Sequence, residues 1–593
     1  VDKALPSMTT EIGATTAPGR RPRLELSIFA IYLLLVLIGV ASHEAWRDEI
    51  RAFTISLYAN STDKLFQLTQ SEGHPLLWTI LLKPFTLLPN QRGLKLAGLI
   101  TAIPSAWVLF RMLPLPLWIR TGILFNYYWL YEYVVLSRSY AIGFMLTTLG
   151  LVLWLRQRSP IISATMFGLA ANVHVLIALT NLPLAFYLAS QTTQSRPKRW
   201  TRSILAIAAA MLIIGYGTAL GSISQTRAMQ YGTERIELRV KRYLGIQVKK
   251  PVRFRRPPPA AAGSARTATA TTAAPNNGTA AVQSPAPPLP SIQEIKNPGP
   301  QVPRIKGKLL QWRNDSLIAL STLRDFRNNL DAAAWILLQV SGVGIAIAIT
   351  LSAPSVTLGY MLPAVAIAVG FSEVVYQYSV WHKGIYTMIL VYSLVLCRTQ
   401  TNPQQASSDW ISRGWVQAIN ARWFPARLGA ISLSIFLIAG IFLGFNTWLQ
   451  DLRLPFSGGQ AAGYFLRQKQ VPADNILIYD SPLAESGVSL AYGMPPLRAD
   501  PAEAPTLLSW PRHNHFTWRP ENEVRRFCDG AQERAVRSGS KAALVRLMGP
   551  MHPPNQPLCA GASAHFFPGI REPVQIELFE PTGGKPAGTA DAP

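Results

Sequence analysis

Asp48 and Glu49 stand side by side in the stretch EAWRDEIRAF, just after the first long apolar run of the chain, and His74 follows in EGHPLLW, just ahead of another. Ionisable groups at a membrane boundary cost free energy unless they are paired or used. A carboxylate placed there can take a proton from a hydroxyl. Arg138 and Tyr140 in SRSY, His174 in NVH, and His382 and Lys383 in WHKG supply hydrogen-bond donors and positive charge in other breaks of the apolar pattern. Such groups can hold a phosphate or stabilise one as it leaves. Each residue also has an ordinary structural reading. Asp48 and Glu49 would complement a helix N-terminus, His74 would precede a helix-starting proline, and Arg138 would snorkel to an interface. His174 would be a packed core histidine, and His382 and Lys383 simple loop charges. Taken jointly, a carboxylate pair with several phosphate-binding groups suits a lipid-phosphate substrate.

These residues need elements to position them, and the composition says which. Of 593 residues, 49% are hydrophobic and 15% charged. The apolar residues fall in blocks near the ~20 residues that cross a bilayer. The cleanest is LELSIFAIYLLLVLIGVAS, residues 24–42; others cover 94–110, 121–136, 140–155, 161–189, 204–221, 333–351, 356–376, 384–396 and 428–448. Lipid offers no partner for backbone polar groups, so these runs must be helical. The expectation is a polytopic all-α membrane protein of about 10–13 transmembrane helices. The first run is too long for a signal-peptide core and lacks a small-residue cleavage site, so it is expected to be retained as an anchor.

The formal net charge is +25. Lys and Arg cluster in GRRPR, RQR and RPKRWTR beside the apolar runs, where inner loops would fall. Positive-inside bias accounts for them, and nucleic acid is not an expected partner. The basic stretch 235–256 would touch anionic lipid headgroups or be simply solvated. The resulting map has an inner segment 1–23, a membrane domain 24–448 and an outer domain 449–593. It places the first loop (43–75) and a long loop (222–328) outside, together with every candidate site residue. Residues 161–189 would be two short spans broken near His174, with the break outside. One region has two readings: either 75–88 is a shallow segment, or the Arg111–Arg120 region is outside and a further span hides in 113–136. Between Glu49 and His74, Ile50, Phe53 and Leu57 recur at helical spacing, as do Leu65 and Leu68 after a Ser61/Thr62 cap, which predicts two helices in the interface plane.

Residues 257–303 are mostly Ala, Pro, Thr, Gly and Ser and are expected to be disordered. After the last apolar run, NILIYD, AALVRLM and VQIELFE read as strands, and GGQAAGYFLRQKQ and ENEVRRFCDGAQERAVRSG as helices, which predicts a small α/β domain. Three cysteines at their spacing do not make a metal site. No cofactor is expected to be required; a divalent metal is left open but is not indicated by the sequence. Cys528 and Cys559 would form a disulfide in an oxidising compartment.

The long first span, WRDE, two interfacial helices, GHPLLW and then SRSY resemble the GT-C superfamily of membrane glycosyltransferases. That superfamily includes protein O-mannosyltransferases, aminoarabinose transferases and families like the rhizobial lipopolysaccharide-core transferases. The resemblance spans roughly residues 20–450 and implies a membrane glycosyltransferase. Its substrates would be a polyprenyl-phosphate-linked sugar and an acceptor that is a lipid, a glycan or a protein. It makes Asp48 the catalytic base, Glu49 its acidic neighbour and His74 a first-loop active-site residue, with Arg138 and Tyr140 near the donor. His382 resembles a loop histidine that relatives precede with Arg; Trp381 stands there here, and Lys383 would supply the charge. The expected location is the cytoplasmic membrane, with the active site and the C-terminal domain on the extracytoplasmic side and membrane lipids as neighbours. A transporter or flippase of a lipid-linked sugar is the alternative, though the reactive groups gather at one surface and no internal repeat is evident. A non-enzymatic membrane scaffold is the third.

Overall fold

A computed structural model describes residues 22–45, 47–69, 76–88, 91–156, 160–192, 326–374, 383–400, 411, 424–453, 457–479, 487–489, 491–492, 497, 521–547, 557–567 and 573–581. His74, His382, the apolar run 204–221, the basic stretch 235–256 and the insert 257–303 lie outside the described residues. The described elements belong, but for the start of one helix, to a unit formed by Val1–Glu234 and Leu330–Pro593; Arg235–Asn329 make a second.

The membrane-type part begins with α1 (Pro22–Ser42), followed by α2 (Arg47–Tyr58) and α3 (Thr62–Thr69). Then come α4 (Leu77–Leu82), a 3-10 turn (Lys83–Leu87) and α5 (Gln91–Met112). Next are α6 (Leu117–Leu124), α7 (Tyr140–Leu155), α8 (Pro160–Ala171) and α9 (Val175–Thr192). Four more complete it: α10 (Phe326–Ser352), α11 (Leu362–Val374), α12 (Gly384–Gln400) and α13 (Phe424–Arg453). Among the described residues, five helices are long and apolar enough to cross a membrane: Pro22–Ser42, Arg92–Met112, Leu330–Ser352, Pro354–Phe371 and Phe424–Arg453. Shorter apolar helices include Tyr140–Leu155, Ile161–Ala171, Val175–Gln191 and Gly384–Thr399.

Buried charge fixes how these helices run. Glu25, at the start of α1, pairs with Arg111 at 3.2 Å and Arg120 at 2.8 Å. At the other end of α1, the Lys95 ammonium donates to the Ala41 carbonyl at 3.0 Å. So α5 runs antiparallel to α1, and Arg111 and Arg120 lie at the Glu25 end. The segment before α5 therefore does not cross. It stays at the Asp48 end, where Lys83 donates to the carbonyls of Ser56 and Ala59 and Ser56 donates to that of Thr79. The shallow-segment reading of 75–88 is the one that fits. The apolar face of α2, with Ile50 and Phe53 buried, packs on Trp78, Leu82, Leu94 and Ala97. Ser61 caps α3, its hydroxyl accepting from the Lys64 amide.

From Arg120 to Arg138 the chain returns to the Asp48 end along an irregular path rather than as the single helix expected over 121–136. After α6, the Asn126 side-chain carbonyl accepts the Tyr128 amide, and a π-helical turn (Tyr128–Glu132) follows. The aromatic run NYYWLYEY supplies the reason. Its large side chains, Tyr127, Tyr128, Trp129, Tyr131 and Tyr133, are all buried in the bundle core, and a π turn re-aims them while keeping backbone bonds satisfied. The break between α8 and α9 faces the Asp48 end, since the Leu77 amide donates to the Asn172 carbonyl.

The last long helix, α13, runs parallel to α1. Trp448 donates its indole N–H to the Leu35 carbonyl at 3.0 Å, and Asp451 reaches His43. The chain after α13 thus departs from the Asp48 end. It contains α14 (Gly459–Gln468), β1 (Ile476–Tyr479), α15 (Glu521–Ser538), β2 (Ala542–Leu547), β3 (Ser563–Phe567) and β4 (Val574–Phe579). The sheet order is β1-β2-β4-β3, with β1 and β2 parallel and the other pairs antiparallel. One face packs Ile476, Ile478, Val545 and Ile576 with Ala462 and Leu466 of α14. The other packs Leu477, Leu544 and Phe579 with Phe527, Ala531 and Ala535 of α15. β4 is buried at every position: Val574, Ile576 and Leu578 pack on the α14 side, while the polar Gln575 and Glu577 between them bond to each other at 2.8 Å.

Candidate active site

Asp48 occupies the first turn of α2, where backbone N–H groups favour negative charge. Its carboxylate accepts a hydrogen bond from the Arg138 guanidinium at 2.9 Å. The two side chains differ in access: Asp48 is 30% exposed and Arg138 only 6%. Arg138 also contacts Glu132, fully buried, at 3.4 Å. Burial would lower the Arg138 pKa, but the Glu132 and Asp48 carboxylates push it up, so the cation is permanent. Glu132 is itself fixed by the Tyr127 hydroxyl at 2.7 Å.

Glu49 points the other way, into protein. One oxygen accepts the Ser137 amide at 2.5 Å and the other meets His43 Nε2 at 3.0 Å. His43 Nδ1 lies 2.8 Å from Asp451 near the end of α13. Burial alone would lower the His43 pKa; the Glu49 charge and hydrogen bonds to Asp451 and Glu49 outweigh it and bring it to about 10. Beside it, burial pushes the Glu44 carboxyl up to about 7.

Tyr140 and His174 come together, with ring centroids 4.3 Å apart. They extend a buried aromatic wall through Tyr133 (5.0 Å from Tyr140) to Tyr128 (5.6 Å from Tyr133). His174 Nδ1 accepts the Leu176 amide, so that nitrogen carries no proton. Lys383 is half-buried just before α12, and burial lowers its pKa. It sits at the Asp48 end, because a side chain on the next residue, Gly384, would meet the Tyr133 hydroxyl.

The expected residues thus divide into three. Asp48 and Arg138 form one ion pair, with Asp48 on the accessible side. Glu49, Tyr140 and His174 are buried behind them. Lys383 stands on the same end of the bundle; His74 and His382 lie outside the described residues. Three residues of the cluster were not singled out in the sequence: His43, Glu132 and Asp451. Glu132 carries a usable signal, a lone acid in an aromatic stretch. In the C-terminal part, Cys528 and Cys559 are joined by a disulfide with Cα atoms 5.5 Å apart. No group of three or more His, Cys, Asp and Glu arranged to hold a metal ion occurs among the described residues.

A partly exposed carboxylate with a fixed direction can accept a proton from a bound hydroxyl. The half-buried ammonium at the same end can meet an anion.

No protein-family model and no curated protein matches the chain. Among solved structures it is similar to ArnT from Cupriavidus metallidurans in the apo state, at 11% identity and a TM-score of 0.43, covering 94% of this chain and 98% of that one.

Proposed function

We propose that the protein is a membrane glycosyltransferase of the GT-C type, which moves a monosaccharide from a polyprenyl-phosphate donor to an acceptor hydroxyl. The observation that carries this reading is Asp48, a partly exposed carboxylate held by a buried guanidinium at one end of an apolar helical bundle. Asp48 takes the proton of the acceptor hydroxyl. The freed oxygen attacks the sugar's anomeric carbon, the bond from that carbon to the phosphate oxygen breaks, and the electron pair leaves with polyprenyl phosphate. A single displacement of this kind inverts the anomeric centre. Arg138, engaged by two carboxylates, serves to aim the base rather than to bind the leaving phosphate. Lys383 is a described cation suited to that role, with His74 and His382 as further candidate donors. The reaction is placed at the outer face of the cytoplasmic membrane, where the donor lipid and the acceptor meet, and the C-terminal domain on that same face. The WRDE, GHPLLW and SRSY motifs support the same reading from the sequence.

The test uses the full chain in proteoliposomes containing polyprenyl-phosphate hexoses labelled in the sugar, incubated with cell-envelope extract as acceptor source. The wild type transfers label, and Asp48→Asn falls by ~10²–10⁴-fold, the range for loss of a general base. An Asp48→Asn variant as active as the wild type overturns the proposal.

A further inference from the structure

The proposed reaction leaves the buried trio of His43, Glu49 and Asp451 without a task. Both ring nitrogens of His43 face carboxylates, Asp451 at 2.8 Å and Glu49 at 3.0 Å. A neutral imidazole has one N–H, so in either tautomer a lone pair would point at an anion. With both carboxyls ionised, only the imidazolium satisfies both contacts. Among the described residues, Tyr131 stands edge-on to the ring at 6.4 Å, and the charged neighbours of the trio include Glu44 and Lys95.

Three ionised groups with almost no water contact are a poor source of stability, since apolar replacements of buried ion pairs are often neutral or better. What the trio supplies is geometry. The second Glu49 oxygen accepts the Ser137 amide. Glu49 is the residue after Asp48, and Ser137 the residue before Arg138. Two adjacent rungs, Asp48 to Arg138 and Glu49 to the Ser137 amide, therefore join the same two backbone segments. A single contact would leave the α2 N-terminus free to pivot; two fix it. Asp451 then ties this pair of rungs to α13, 408 residues beyond His43 in the chain.

We infer that His43 is a positioning residue for the transfer reaction: as an imidazolium clamped by Asp451 it fixes Glu49, and through the Ser137 amide it sets where Arg138 holds the Asp48 carboxylate. This rests on the reading of Asp48 as the base.

The experiment compares His43→Asn, Glu49→Gln, the double variant and Asp48→Asn in the same proteoliposome assay, and adds NMR of full-length wild type labelled with 15N-histidine. His43→Asn lowers kcat by about tenfold or more, as a small misplacement of a catalytic group does, with donor KM nearly unchanged. The double variant is no worse than the worse single one, because both act along one line. One histidine signal has both nitrogens protonated at about pH 8.5, and it is missing from His43→Asn. Wild-type kcat in a folded His43→Asn, or independent multiplication of the two effects, overturns the inference. So does a neutral His43 in the wild-type spectrum, a readout that needs no variant to fold. An active Asp48→Asn removes the reaction that His43 would serve, and it is recognised separately because the spectrum reports the charge regardless of activity.

Discussion

The Arg138 guanidinium and the Asp48 carboxylate meet at 2.9 Å across 90 residues of sequence, and the same guanidinium reaches Glu132 on its buried side. One cation thus stands between an accessible carboxylate and an inaccessible one. The accessible one is available to chemistry, while the other holds the guanidinium in place.

That arrangement separates two Arg138 substitutions. Arg138→Ala leaves Glu132 buried without its cation, and breaking a buried pair in this way costs about 3–5 kcal/mol. Arg138→Lys keeps a charge but loses the planar fork that spans two carboxylates. Thermal unfolding in detergent is therefore expected to fall strongly for Arg138→Ala and moderately for Arg138→Lys. Transfer activity falls in both. An Arg138→Ala protein as stable as the wild type would show that Glu132 does not depend on this contact.

Stability is expected to fall as pH rises, for two reasons with one sign. His43 binds its proton more tightly folded than unfolded, its pKa rising from 6.5 to about 10. Its contribution is fully present below 6.5 and is lost as pH rises through about 10. Glu44 rises from 4.5 to about 7, so it too holds its proton more tightly in the folded state. Its contribution is present below 4.5 and is lost as pH rises through about 7. Where the native state binds more protons, unfolding free energy decreases with pH. Unfolding midpoints in detergent across pH check this: His43→Asn flattens the upper window and Glu44→Gln the lower. A wild-type midpoint that climbs through either window contradicts the assignment for that group.

The sequence made Asp48 and Arg138 visible because each is a charge set against an apolar run, a contrast that needs no structure to notice. The α/β tail was visible for a similar reason: Ile476–Tyr479 and Ala542–Leu547 are short, largely apolar runs beside polar helical stretches, and Val574–Phe579 alternates apolar with polar residues. β3 was missed because SAHFF is brief and only half-buried, so it carries neither alternation nor a continuous apolar run. The partners of His43 were hidden for a different reason. Glu49 is six residues away and Asp451 lies beyond every intervening helix, so no spacing rule connects them. The crossing over 121–136 misled because composition alone cannot distinguish a regular helix from an aromatic stretch with a π turn. The ambiguity over 75–88 needed one long-range fact, the grip of Arg111 and Arg120 on Glu25.

The Cys528–Cys559 bond makes the placement of the tail testable. It joins α15 to the loop before β3, two segments 31 residues apart. Cys559 packs with Leu477, Leu544 and Phe579 on the sheet face that α15 covers, so the cross-link closes over a real core. Closing a loop of that length is worth roughly 3–4 kcal/mol in the chain-entropy account. Such bonds persist in an oxidising compartment and are rare in the cytosol. Of the three cysteines, two are in the bond, which leaves Cys397. Protein taken from membranes, alkylated under denaturing conditions without reductant, is expected to label at Cys397 alone, and at all three cysteines after reduction. Reduction of the native full-length chain lowers the unfolding midpoint of the tail, and Cys528→Ser with Cys559→Ser does the same without reductant. Labelling of Cys528 and Cys559 before reduction would show that the bond is absent in the cell, and the placement of the tail on the extracytoplasmic side would lose its chemical support.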